Sequence, residues 1–338
     1  MGSLHASRRG HGRRTAPAIL LLGALALSTF GLAGTARPAV ATVAGANGRI
    51  AFARFDPALG DDVTYTMNAD GSDLRPLFPG FTSGAPHWAP DGTDVAVNSG
   101  LGNICPPTCS GHTVIIDPTT GHYRVITPDG YPTVAIYCSI WSPDATHFIC
   151  EGGNDTDASV NGLYIVRTSD GGGVIRLTDA RGMRDLPIDY SPDGRQVVFS
   201  RFEGDNCDGK AALYVINTDG TGLRRITPWG FCDDDGSWSP DGGTIAFVRN
   251  DGFIFTVHPD GSGLTKLSLA TSGRSYAGDV AWSPDGRRIV MLLTVRTGTH
   301  EYQEGIATAN GDGTDVRLIT LSPTFDHSPS WGAIAAAP

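Results

Sequence analysis

The sequence predicts an all-β fold, a six-bladed β-propeller of four-stranded blades closed by pairing of its N- and C-terminal strands. Three observations predict it: a recurring aromatic-Ser-Pro-Asp-Gly unit, a strand-and-turn pattern after each copy, and complementary half-units at the two ends. The unit stands at Trp88-Ala-Pro-Asp-Gly, Trp141-Ser-Pro-Asp-Ala, Tyr190-Ser-Pro-Asp-Gly, Trp238-Ser-Pro-Asp-Gly and Trp282-Ser-Pro-Asp-Gly, with anchors 44 to 53 residues apart. A repeat of this length cannot bury its apolar face alone, so the copies must stack on one another.

Each part of the unit has a physical reason. In the turn, Pro presets φ near −65°, Asp bonds back to the local backbone and Gly accepts a positive φ. Ala145 stands in the Gly place, where a left-handed alanine costs about 1 kcal/mol. A β-rich run follows each turn, as in Val197-Val-Phe199 and Ile245-Ala-Phe247, and a second apolar run such as Leu163-Tyr-Ile-Val166 comes after a variable loop. An Asp-Gly turn then leads to a last short strand, as in Asn217-Thr-Asp-Gly-Thr-Gly. That makes four strands per unit. The anchors Trp88, Trp141, Tyr190, Trp238, Trp282 and Trp331 read as core packed between sheets.

The ends complete the count. Asn47-Gly-Arg-Ile-Ala-Phe has a second strand without an anchor before it, and Asp326-His-Ser-Pro-Ser-Trp331 has an anchor without a second strand after it. Joined in one composite blade, they leave no long open sheet edge around the ring. The domain reading is therefore residues 1–41 as signal peptide, 42–46 as linker, 47–332 as propeller and 333–338 as tail.

The signal reading rests on Arg8, Arg9, Arg13 and Arg14 ahead of an apolar run from Ala16 to Ala33, with Ala39-Val-Ala41 as the cleavage site. The competing reading is a retained anchor, because the run approaches a membrane-spanning length. Cleavage removes five arginines and no acid, which takes the formal charge from −10 to −15. So acidic a surface disfavours nucleic acid and anionic lipid. The mature chain is expected to be exported, to have no membrane span and to be a monomer.

Six cysteines in an exported chain read as disulfides. Cys207 with Cys232 is the first expected pair. Cys138 and Cys150 flank the Trp141 hairpin, and Cys105 and Cys109 are left to pair locally, although either could reach Cys138 or Cys150. Short uniform hairpins occupy one face of the ring, whereas the variable loops occupy the other, where function usually sits on a rigid scaffold.

On that loop face Asp185, Asp233 and Asp326 each stand five residues before an anchor and are expected to ring the channel mouth. Asp234, Asp235, His327 and His87 are expected beside them, and His300 could also approach. Asp205, Asp208, Asp233 and Asp235 form a possible oxygen site for calcium, which needs six to eight ligands. Gly-x-Ser-x-Gly, His-Glu-x-x-His and phosphate-binding loops do not occur, and no catalytic residue is assigned.

The repeated Trp-Ser-Pro-Asp-Gly-x-x-Ile-x-Phe and Asp-Gly-Thr/Ser-Gly-Leu elements, in order over about residues 47–332, resemble the TolB-type propeller repeat. The resemblance implies an extracytoplasmic scaffold whose channel mouth receives segments of partner proteins, without catalytic residues. TolB itself has an α/β domain ahead of its propeller, for which residues 42–46 leave no room. The expected function is thus non-catalytic binding of a protein, peptide or glycan segment at the acidic channel mouth. The alternative is a channel-based hydrolase or lyase assisted by a divalent cation.

Overall fold

A computed structural model describes residues 45–335 apart from 78–82, 100–111, 131–133, 155, 181, 205–209, 250–251, 272–274, 297–301 and 323. Its strands form six antiparallel sheets of four, five of them built in chain order from the channel outward and the sixth with the C-terminal strand innermost. The Tyr190 blade shows the plan: Met183–Tyr190, Gln196–Glu203, Ala211–Asn217 and, outermost, Arg224–Arg225. The first strands of successive blades touch in an unbroken cycle, so the ring is closed. Closure is made as expected, by Asp326–Ala333 beside Asn47–Asp56, with Trp331 opposite Ile50 and Asp326 opposite Arg54.

The core lies between blades. Ile188, Val198, Leu213 and Val215 of one blade cluster with Trp238, Ile245 and Phe247 of the next. All six anchors are buried. The residue before an anchor stitches neighbours together: Asp189 Oδ2 and the Ser237 and Ser330 hydroxyls accept from the backbone N–H groups of Trp238, Trp282 and Trp88, at 2.8, 2.8 and 3.2 Å. Each such bond satisfies a buried donor that the innermost strand, having no inner neighbour, would leave unpaired.

The turns behave as their composition dictates. The Ser191 hydroxyl donates to Asp193 at 2.6 Å, and Gly194 has φ 70°. Ala145 does adopt the left-handed conformation, at φ 58°. The outermost strands carry exposed cations, Arg75, Arg124, Arg176, Arg225, Lys266 and Arg317, which keep short sheet edges from pairing with another chain.

Every innermost strand shifts register just before its anchor. At four of these bulges a non-glycine residue is left-handed: Ala85, Asp235, Asp279 and Ser328, with φ between 45° and 50°. Such backbone costs on the order of 1–3 kcal/mol and persists only where the surroundings hold it.

Because the composite blade supplies both Trp331 and the carboxylate that pairs with Arg54, deleting Asp326–Trp331 is expected to abolish the single cooperative thermal transition. Circular dichroism checks this; an unchanged transition contradicts closure.

Candidate functional site

The three carboxylates expected to ring the channel mouth are buried and ion-paired. Asp185, Asp233 and Asp326 are at most 1% exposed. Each lies opposite an arginine on the second strand of its own blade: Asp185 with Arg201, Asp233 with Arg249 and Asp326 with Arg54. The guanidinium donates through Nε and Nη2 to both carboxylate oxygens, at 2.6 and 2.7 Å, 2.6 and 2.8 Å, and 2.6 and 2.8 Å respectively. Thr178 and Thr320, at the exits of the preceding blades, add hydroxyl donors to Asp185 and Asp326 at 2.6 and 2.8 Å. Hydrogen bonds to these carboxylates raise the Arg201 and Arg54 pKa values further.

Aromatic rings complete the device. Arg54 lies over Phe52 and Tyr65, Arg201 over Phe199 and Tyr214, and Arg249 over Phe247 and Phe255. A buried bidentate pair with ring faces against the guanidinium fixes geometry, and it takes the carboxylate away from solvent. Both oxygens of Asp233 are occupied inside the blade, which removes it from the expected calcium site. Asp205 and Asp208 lie outside the described residues. Among the described residues, no three His, Cys, Asp or Glu side chains gather so as to hold a metal ion.

His87 also differs from expectation. It is 1% exposed and lies opposite Ala96, which packs in one cluster with Cys138 and Trp141 of the next blade. Its backbone carbonyl accepts from Trp141 Nε1 at 3.1 Å, while both its ring nitrogens are buried without a partner. Burial alone lowers its pKa from 6.5 to about 3.

His327 is half-buried on the first strand of the composite blade. Its Nε2 is 2.9 Å from Asp62 Oδ2, and its ring stacks on Phe325 at 5.0 Å. Asp234 and Asp235 are half-buried at the bulge of strand Asp233–Trp238 and engaged in further interactions. Glu151 and Arg184 form an interblade pair; burial pushes the Glu151 carboxyl up against the opposing pull of Arg184.

Cys138 and Cys150 are disulfide-bonded across their hairpin, with Cα atoms 4.3 Å apart, as the hairpin spacing suggested. Cys232 is also disulfide-bonded. Cys105, Cys109 and Cys207, like His300, fall outside the described residues.

One loop-face feature was missed in the sequence: the connection from Thr227 to Asp233 presents two large aromatics to solvent. Trp229 is 37% exposed and Phe231 39%. The loop is held from three sides, by the Cys232 disulfide, by the Ala211–Phe231 bridge with an N–H to O distance of 3.0 Å, and by Arg249 beneath the Phe231 ring at 4.1 Å. Asp233, Arg249 and Phe231 thus form one column from the blade interior to the surface. The sequence signal is Trp229-Gly-Phe231 beside a cysteine, apolar residues in a loop where the repeat needs none.

Comparison with known proteins agrees with this architecture. Residues 141–335 match the family model described as the TolB beta propeller domain. The chain belongs to the TolB β-propeller family. An uncharacterized protein of Agrobacterium fabrum is 30% identical over 181 residues, an alignment covering 50% of this chain and 57% of that relative. The chain therefore spans little more than half of that protein's length. The crystal structure of TolB from Acinetobacter baumannii aligns with TM-score 0.64 at 21% identity, over 84% of this chain and 66% of that one. An oligogalacturonate lyase from Vibrio parahaemolyticus aligns with TM-score 0.55 at 15% identity, over 85% and 79%. Likenesses at such identities show the shared fold, and TolB-type propellers share it with enzymes. Among the described residues no helix is long and apolar enough to cross a membrane, and the disulfides suit an oxidising compartment.

Proposed function

We propose that this TolB-family propeller is an exported, non-catalytic binding module. Its loop face grips an extended protein or peptide segment through the Trp229–Phe231 shelf. The observation that carries this reading is the braced exposure of the two rings. Exposed large aromatics on a loop fixed by a disulfide, a backbone bridge and a guanidinium offer contact area at little entropic cost, the character of interface hot spots. The half-buried Asp234 and Asp235 on the adjoining strand favour a partner segment that is cationic as well as apolar. The earlier picture of a carboxylate ring as the binding element gives way to an aromatic shelf with an acidic margin.

A second reading, acid–base chemistry on a glycan, is favoured by the His327–Asp62 pair, whose two side chains are both partly exposed. It predicts glycan turnover lost in His327→Ala, whereas the binding reading predicts none to lose.

The test uses the chain without residues 1–41, immobilised and exposed to an extract of its native envelope or medium. The Trp229→Ser, Phe231→Ser double variant is expected to bind the captured partner about thirtyfold more weakly, the loss a hot spot of about 2 kcal/mol implies. Equal retention by both proteins contradicts the shelf.

A further inference from the structure

On the hairpin face, a groove of about 470 Å³ lies between the turns that follow Trp141 and Tyr190, lined by Pro143, Ile165 and Pro192 and by the carboxylates of Asp144 and Asp193. Tyr190 also lines it, although the residue is only 3% exposed. We propose that this groove binds a small organic primary ammonium ion. Its N–H donors go to the Asp144 and Asp193 carboxylates and the Tyr190 hydroxyl, and its alkyl part lies on the two prolines and Ile165. The occupant is a small molecule and not a partner protein, so the inference is independent of the loop-face reading.

The anchor residue sets this groove apart. Among the six anchors only Tyr190 is not tryptophan. An indole N–H can only donate, whereas a phenol also accepts, so this blade alone brings an anchor acceptor to the hairpin face. The ring packs among Ile140, Ile149 and Leu163 of the preceding blade. Burial, and after it the charge of Asp144, push the Tyr190 phenol up, and no hydrogen bond from a described residue offsets them. Tyr190 therefore holds a neutral, unpartnered hydroxyl close to an anionic carboxylate, and a bound N–H donor completes it. In the related groove of about 510 Å³ after Trp238 and Trp282, an indole takes the place of the phenol beside Asp241 and Asp285.

Charge selects a cation. Asp144 Oδ1 takes the Ser142 and Thr146 hydroxyls at 2.6 and 2.8 Å and Thr146 N–H at 3.1 Å. Asp193 Oδ1 takes the Ser191 hydroxyl at 2.6 Å and Arg195 N–H at 3.1 Å. These bonds, Ser142 and Ser191 foremost, hold both carboxyls below the ordinary range, so both are ionised, and they occupy Oδ1 while leaving Oδ2 for a ligand. The basic neighbours do not neutralise the pair. His147 Nδ1 meets Thr146 Oγ1 at 2.7 Å, and Arg195 Nε is 3.9 Å from Asp193 Oδ2 with the two side chains 85% and 61% exposed, a pairing that water screens. A few convergent polar groups on an apolar lining, in a cleft of this volume, suit a small organic ligand.

The test titrates n-butylammonium and tetramethylammonium, equal in charge but unequal in N–H donors, at fixed ionic strength while the Gly194 and Thr218 amide resonances of the groove are followed. Butylammonium is expected to shift both amides saturably and to bind about tenfold or more tightly than tetramethylammonium. Tyr190→Phe keeps the buried ring and removes only the hydroxyl; it should weaken butylammonium about tenfold, the loss of one hydrogen bond to a charged group. D144N with D193N keeps the Oδ1 acceptors of the turns and should abolish binding, whereas D241N with D285N in the related groove should change nothing. Absence of a saturable shift at Gly194 and Thr218, or equal affinity in Y190F and the wild-type chain, overturns the proposal. Equal binding of tetramethylammonium, or an equal loss in the D241N, D285N chain, also overturns it, because either would show attraction by net negative charge alone.

Discussion

Replacing Arg249 with alanine is expected to destabilise the ring by about 3–5 kcal/mol, the range for removing one partner of a buried ion pair. Asp233 is 0% exposed and would keep its charge with no counterion, while Phe247, Phe255 and Phe231 would lose the guanidinium they pack against. The cost thus has two parts, an uncompensated charge and a gap between rings. Arg249→Met with Asp233→Asn fills the gap and removes the charge, so most of the stability should return, as happens when a buried pair is replaced by matched uncharged groups. Urea unfolding measures both variants. A loss under 1 kcal/mol in R249A contradicts the role assigned to the pair. Because Arg249 also floors Phe231, R249A should weaken partner capture even at temperatures where the ring remains folded.

Acid is expected to destabilise the ring through His87. Its pKa is about 3 in the folded chain and about 6.5 when unfolded, so between those values the unfolded state binds the proton and the folded state does not. Stability is therefore fully present above pH 6.5 and falls as pH drops toward 3, by about 4–5 kcal/mol at about 1.36 kcal/mol per unit. Carboxylates begin to contribute below about pH 4.5, so the diagnostic window is pH 6.5 to 4.5. His87→Ser installs the side chain that Ser237 and Ser330 present at the same place before their anchors. The variant should lose the slope of stability against pH in that window while the wild-type chain keeps it. Equal slopes would show that His87 is not the group being titrated.

Much of the fold was legible because its rules are local. Ser-Pro-Asp-Gly names a turn from four adjacent residues, and even the exception at Ala145 was read with its left-handed backbone. Closure was legible because the two half-units are each incomplete in a complementary way. The carboxylates were misread because their partners are distant along the chain: Arg201 and Arg249 stand 16 residues beyond Asp185 and Asp233, and Arg54 is 272 residues from Asp326.

A signal did exist. Phe52-Ala-Arg54, Phe199-Ser-Arg201 and Phe247-Val-Arg249 occur only in the blades whose first strand carries Asp five residues before the anchor. In the other blades the same cross-strand place is filled by Ser83 with Ser99, Ile136 with Gly152, and Ala277 with Leu293. His87 was misread for a similar reason. Its position directly before an anchor belongs to the blade interface in every copy, and comparing it with Asp189, Ser237 and Ser330 places it there. The aromatic shelf escaped notice because loop residues follow no period; only its support by Cys232 and Arg249 gives its exposure meaning.

The central claim is that partners engage the loop face and not the hairpin face or the rim. The most direct measurement places a photo-crosslinking phenylalanine derivative at Trp229 in one chain and at Ile175, 60% exposed on an outermost strand, in another. Both chains are irradiated in the native extract. A discrete adduct from position 229 and none from position 175 is the predicted result. Adducts of the same size and yield from both positions, or from position 175 alone, would contradict it.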